Sequence, residues 1–225
     1  MYLFGSVLAI LVQMILPDSE QENLQAVWQF LKEHFRVNRT KSPFRYLNRL
    51  TMFIRRGKFP KLRGKAAEVR HFGKALSALW MSKMNPLLEL HRKISLMLRL
   101  NVQLEDMLTE YAEEFSLPAG PASDFEQACR SMLLLQNEIA NHFIDEGLQY
   151  FDVTTKSHFV QHLSILSCHV NPRLIWAFRG EDQMKKLQTL AQSCTKGNTQ
   201  AQTNLKMGRH YRLGLHLRFY DKEKL

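Results

Sequence analysis

The stretch LLELHRKISLMLRLNVQLEDMLTEYAEEF, Leu87 to Phe115, decides the fold. Its residues Leu87, Leu90, Ile94, Met97, Asn101, Leu104, Leu108, Tyr111 and Phe115 recur at alternating steps of three and four, the period of a helix with a single apolar seam. Asn101 is the one polar member. A polar residue in such a seam sets register or partner number at some cost in stability, so Asn101, Leu104 and Leu108 are the candidate residues for pairing with a second copy of the chain or with a partner helix.

Downstream, Pro118-Ala119-Gly120-Pro121 forces a turn, and Ser123 or Asp124 is placed to cap a second helix with the apolar stripe Phe125, Cys129, Met132, Leu135, Ile139 and Phe143. The pair predicts a long antiparallel helical hairpin over 87–150. Upstream, Ala66, Val69, Phe72, Leu76, Leu79 and Trp80 predict a helix from Lys65 to about Lys83, ended by Asn85-Pro86. Asp18 or Ser19 predicts the start of a helix running to about Phe35, with Leu24, Val27, Trp28 and Leu31 on one face. Between breaks at Ser42-Pro43 and at Gly57, Pro60 and Gly64, a short helix is expected from Phe44 to Arg55.

Beyond Asp152, Thr154 or Thr155 caps a helix whose expected buried stripe is Phe159, Leu163, Leu166 and Val170, stopped by Asn171-Pro172. A further helix after Gly180 carries Met184, Leu187, Leu190, Ala191 and Cys194. Residues 211–219 fit either a strand, through Tyr211, Leu213, Leu215, Leu217 and Phe219, or a helix. Helix is favoured, because a lone strand in a helical chain has no edge to pair with. The expected fold is all-α: a single multi-helix domain over 18–225 built around the 87–150 hairpin, with 154–219 as C-terminal helices. The alternative architecture divides the chain near Asp152.

The chain has 225 residues, enough for a sizeable core, and 10 Gly with 7 Pro leave few turns. Three cysteines without paired spacing point away from a disulfide framework, and so to an intracellular setting, nuclear or cytoplasmic. Residues 1–17 are apolar and uncharged, yet the run is shorter than the ~20 residues of a membrane span and lacks the basic start and cleavage site of a signal peptide. It reads as a buried helix at the start of the chain, and no membrane span is expected.

The net charge of +10 has an address. Residues 36–70 hold twelve Arg and Lys against Glu68 alone, while 101–152 hold eleven acids against Arg130. Clustered cations gain affinity for a phosphate backbone by releasing its counterions. Arg45, Arg49, Arg55, Arg56, Lys58, Lys61, Arg63 and Lys65 are therefore candidate contacts to nucleic acid or another polyanion, with Phe35, Phe44, Tyr46, Phe53 and Phe59 interleaved as stacking candidates. The alternative is that Phe44, Leu47, Leu50, Phe53 and Ile54 are core and that the cations neutralise the acidic window or face water.

Other constellations are incomplete. His158 and His162 lie one helical turn apart and could share a metal ion, but a third ligand would have to come from elsewhere. Glu68 with His71, and Glu138 with His142, fall short of the doubled Glu and His set of a di-iron bundle. Cys129, Cys168 and Cys194 read as small core hydrophobes. No catalytic motif is found, no cofactor is expected, and the chain reads as a non-enzymatic helical protein. A helical interaction module using the seam, and a metal-dependent enzyme using His158 and His162, are the competing expectations.

Leu50–Phe72 (LTMFIRRGKFPKLRGKAAEVRHF), Asn171–Asp182 (NPRLIWAFRGED) and Ala191–Gly197 (AQSCTKG) resemble segments of a large uncharacterised family of predicted dinoflagellate proteins, over residues 20 to 219 or so. The dispersed, multicopy occurrence of that family implies a mobile-element origin and a nucleic-acid context. The resemblance supplies no catalytic residues.

Overall fold

The computed structural model describes residues 1–175, 178–195, 197 and 199–222, with the backbone alone for 178–186, 215 and 217–222. The fold is all-α, and no strand is formed among the described residues. The chain separates into two compact units, 1–175 and 176–225.

At the centre of the first unit is α1 (Tyr2–Ile10), continued by one turn of π-helix (Leu11–Ile15). A helix that is apolar all round has no face to offer water, and every residue from Leu3 to Val12 is buried. Close approach is built in at Gly5, where a Cβ would lie 2.6 Å from the backbone of Lys61 and Leu62. On its other side, Ser6 Oγ accepts the backbone N–H of Phe151. The wide π-turn leaves carbonyls to satisfy, and buried Asn23 does so: its Nδ2 donates to the carbonyls of Val12, Leu16 and Asp18 at 2.8, 3.1 and 2.8 Å. No helix among the described residues is long and apolar enough to cross a membrane.

Ser19 caps α2 (Glu20–Val37) in a reciprocal box with Glu22. Leu24, Val27, Leu31 and Phe35 are its buried face, with Trp28 half-buried. The expected helix over Phe44–Arg55 is not formed; only a single 3-10 turn, Leu50–Met52, interrupts an irregular segment. Phe44, Leu47 and Phe53 are buried at intervals of three and six residues, and the segment is held from outside itself: Lys61 N–H donates to Phe53 C=O, Arg63 N–H to Met52 C=O and Leu62 N–H to Met1 C=O. The expected helix over 65–83 is broken at His71 into α3 (Ala66–Arg70) and α4 (Phe72–Lys83).

The seam helix is α5 (Glu89–Glu110), shorter than its apolar period. Ile94, Met97, Leu98, Leu104 and Leu108 are buried, whereas the outermost members Leu87 and Phe115 lie outside the helix and are exposed. α5 packs on α4 and on α6 (Ala119–Asp145), and Lys93 Nζ reaches Glu138 across the α5–α6 contact at 2.5 Å. α6 starts earlier than Ser123, with Pro118 at its cap. Pro121 is tolerated because first-turn N–H groups have no partner in the helix.

The stripe expected on α7 (Thr155–Ile165) is corrected. Phe159 and Leu166 are exposed, Leu163 and Val170 are half-buried, and Ser164 and Ser167 are the buried positions. The small serines set the approach to α6: Ser164 Oγ donates to Gln161 C=O, its hydroxyl lies against the buried Cys129 thiol, and Leu117 N–H donates to Ser167 C=O. Asn171, fully buried, then donates from Nδ2 to the carbonyls of Tyr111 and Glu114 at 2.6 and 3.0 Å, closing the end of α5. These bonds carry 153–175 into the first unit, which places the division at 175 and not near Asp152.

The second unit pairs α8 (Phe178–Thr195) with α9 (Gln200–Lys222). Gly197 turns between them at φ +71, where only glycine sits without strain. Cys194 is buried and Leu187, Leu190 and Ala191 are half-buried. The backbone of 211–219 is helical, while the side chains of Met184, Leu215, Leu217 and Phe219 lie outside the described residues.

Candidate polyanion-binding surface

The segment 43–65 sorts its side chains by chemistry. Phe44, Leu47, Phe53 and Leu62 are the anchors, all buried. Phe44 packs its ring 5.4 Å from that of Phe72 and lies over Gly64, where even a methyl group would clash. Arg45, Arg49, Arg55, Arg56, Lys58, Lys61, Arg63 and Lys65 are all exposed. The tip of the excursion is a tight turn in which Lys58 N–H donates to Arg55 C=O at 3.2 Å with Gly57 at φ +65, so three of the cations project from a turn whose shape glycine permits.

Two grooves run along this surface. One, of about 720 Å³, is lined by Arg45, Tyr46, Arg49, Arg63, Lys65 and Glu68. The other, of about 570 Å³, is lined by Tyr2, Arg55, Lys58, Phe59, Lys61 and Arg63, with Asp152 at its side. Arg63 lines both. Each groove thus holds one carboxylate against four cations. Glu68 is largely spent, accepting from Lys65 N–H at 3.2 Å and lying 3.6 Å from Arg45. Lys61 Nζ stands 4.9 Å over the Tyr2 ring, a cation–π contact.

The interleaved aromatics divide. Phe35, Phe44 and Phe53 are core and Phe59 is half-buried, whereas Tyr46 is 59% exposed. Tyr46 is thus the aromatic of the first groove with a face to offer. Of the two alternatives for these cations, neutralising the acidic window or facing water, the eight follow the second, with Phe44, Leu47 and Phe53 in the core: among the described residues, Arg45 alone of the eight forms an ion pair, and its partner is Glu68. The two windows do meet at Arg70, outside these eight, which pairs with Glu105, while Asp106 pairs with Lys74 and Glu138 with Lys93.

The other candidate residues are not assembled into sites. Leu104 and Leu108 are buried in the contacts of α5 and Asn101 is half-buried beside Gly73, so the seam is occupied within the chain and offers no free apolar stripe. His158 and His162 face each other, Nε2 to Nε2 at 3.0 Å, on the exposed side of α7. No group of three or more His, Cys, Asp or Glu that could hold a metal ion occurs among the described residues. Cys168 is exposed, unlike Cys129 and Cys194, and burial pushes the Cys129 thiol upward in pKa, which keeps it protonated. Comparison with family models, curated proteins and solved structures returned no match.

Proposed function

We propose that the chain binds single-stranded nucleic acid along the 45–65 surface, through Arg45, Arg49, Arg55, Arg56, Lys58, Lys61, Arg63 and Lys65, with Tyr46 stacking on a base. The observation that carries this reading is that all eight cations are exposed while one alone is ion-paired within the described residues. Cations and an aromatic are groups that hold an anion and its bases. A nucleic-acid context is also what the resemblance to the dinoflagellate family implies. A binding role suits this residue set better than a catalytic one.

The test is a fluorescence titration of the full chain with a labelled single-stranded oligonucleotide at several salt concentrations. Each neutralised phosphate contributes about −0.7 to the slope of log affinity against log salt for a single strand, so engagement of six of the eight cations gives a slope near −4. Absence of binding at low salt, or binding indifferent to salt, would remove the proposal.

A further inference from the structure

A second cluster of cations lies away from the two grooves, in a cleft of about 400 Å³ between the end of α2, the α3–α4 junction and the middle of α5. Arg39, Lys41, Arg70 and Lys74 line it together with Glu105 and Asp106. Both carboxylates are already engaged: Arg70 Nε donates to Glu105 at 2.7 Å and Lys74 Nζ lies 2.5 Å from Asp106. Arg39 and Lys41 form no ion pair among the described residues. The loop carrying them is sharply bent, with Arg39 at φ +46 and Ser42 at φ +51, and is pinned by Thr40 N–H donating to Phe35 C=O.

Polar neutral groups complete the lining: Thr109, whose hydroxyl accepts from Arg70 Nη2 at 2.9 Å, with Asn38, Thr40 and Asn101. His34 and His71 also line it. From these observations we infer that the cleft is a binding site for a small phosphate-bearing ligand, held by Arg39, Lys41, Arg70 and Lys74. The cavity is within the range of small-ligand sites, it holds two more cations than carboxylates, and its hydrogen-bonding groups converge from three elements. The same chemistry suits a free phosphate ester or the terminal phosphate of a nucleic-acid strand.

The histidines add a signature. The charged and titratable groups that line the cleft with His71 are His34 on α2, Arg39 and Lys41 in the loop, Arg70 on α3, Lys74 on α4, and Glu105 and Asp106 on α5. Burial first, then Arg70, Lys41 and Lys74, hold His71 below the ordinary histidine range, and burial does the same for His34. An anion seated among those cations offsets their field and lets His71 take up a proton. Binding that takes up protons strengthens as pH falls.

The experiment is a titration of the full chain with sodium sulfate and with inorganic phosphate, followed by the ring signals of His34 and His71 in NMR. Sulfate keeps both charges through the histidine range and isolates the protein's contribution. The expected result is saturable movement of His71, with affinity rising from pH 8 to pH 6. Lys41→Ala, at an exposed position, should weaken binding about tenfold, as expected for loss of one charge-assisted contact, and Lys58→Ala on the other surface should leave it unchanged. A 5′-phosphorylated oligonucleotide that moves His71 where its unphosphorylated twin does not identifies the strand end as the source, and saturation by inorganic phosphate with neither oligonucleotide moving His71 identifies a small free phosphate-bearing ligand. Non-saturating shifts, or equal affinity in Lys41→Ala, would overturn the site. Because the readout is local to His71, loss of oligonucleotide binding to the 45–65 surface leaves this result standing.

Discussion

The hydroxyl of Ser6 accepts the backbone N–H of Phe151 at 2.8 Å, joining two fully buried residues that lie 145 positions apart. Phe151 holds φ +56, a conformation that bulky residues rarely adopt, and its ring stacks 5.9 Å from that of Phe143 on α6. One bond therefore fixes the chain after α6 to the helix at the centre of the unit. Ser6→Ala leaves a buried donor without a partner, at a cost of about 1–3 kcal/mol, and denaturant unfolding should show it as a lower midpoint. A midpoint equal to that of the parent would mean that water or a shifted backbone replaces the hydroxyl.

The neighbouring residue tests the link between core and binding surface. Gly5→Ala sets a methyl group 2.6 Å from the backbone of Lys61 and Leu62, which cannot yield as the end of a side chain would. Overpacking costs about 1–3 kcal/mol or more. The strain falls on the bond from Leu62 N–H to Met1 C=O, so hydrogen exchange at Leu62 should accelerate and oligonucleotide affinity should fall, although no cation has been changed. Unaltered exchange at Leu62 would separate α1 from the shape of the basic segment.

The parts of this molecule legible in the sequence were those fixed by local chemistry. A helix start at Asp18 or Ser19 was legible, and Ser19 is the cap, while the apolar stretch before Pro17 read as a buried helix, which it is over Leu3–Val12. The eight cations stand where charge density alone suggested, because Arg and Lys stay wet unless a partner compensates burial. What could not be read was long-range. Phe44, Leu47 and Phe53 have a spacing that suits a helix, yet their register is set by Phe72, Gly64 and the carbonyls of Met1, Met52 and Phe53. On α7 the apolar residues outnumber the serines, but packing against Cys129 selects the small side chains. Asn23 carried no signal and Asn171 was legible only as a helix stop before Pro172, since an asparagine that also closes a helix end 57 to 60 residues away, as Asn171 does, looks like any other asparagine.

His91 predicts a pH dependence with a definite sign. Its Nδ1 accepts the backbone N–H of Asn85 at 2.9 Å, its carbonyl accepts Trp80 Nε1–H at 3.1 Å, and its ring meets Trp80 edge to face. Burial holds its pKa below the ordinary value of about 6.5, as it does for His34 and, with nearby cations, for His71. The unfolded chain then binds more protons than the folded one as pH falls through this range, so stability is full above about 6.5 and is lost below it. Thermal unfolding should give a lower Tm at pH 5.5 than at pH 7.5. A flat profile between those values would show that the three rings charge without cost.

Tyr46 and Arg49 line the same groove and should fail differently when removed. Stacking of a base on an aromatic ring is worth about 1–3 kcal/mol and uses no counterion, whereas a cation at a phosphate acts by releasing one. Tyr46→Ala should therefore weaken single-stranded binding by roughly 5- to 150-fold, with the salt slope unchanged and little effect on a duplex, whose bases are already stacked. Arg49→Ala should weaken single strand and duplex alike and make the slope shallower by about 0.7 on the single strand. Both positions are exposed, so neither change should alter the unfolding free energy by more than about 0.5 kcal/mol. If Tyr46→Ala altered the slope and left the affinity extrapolated to about 1 M salt intact, the ring would be a spacer for the cations, and stacking would have no part in recognition.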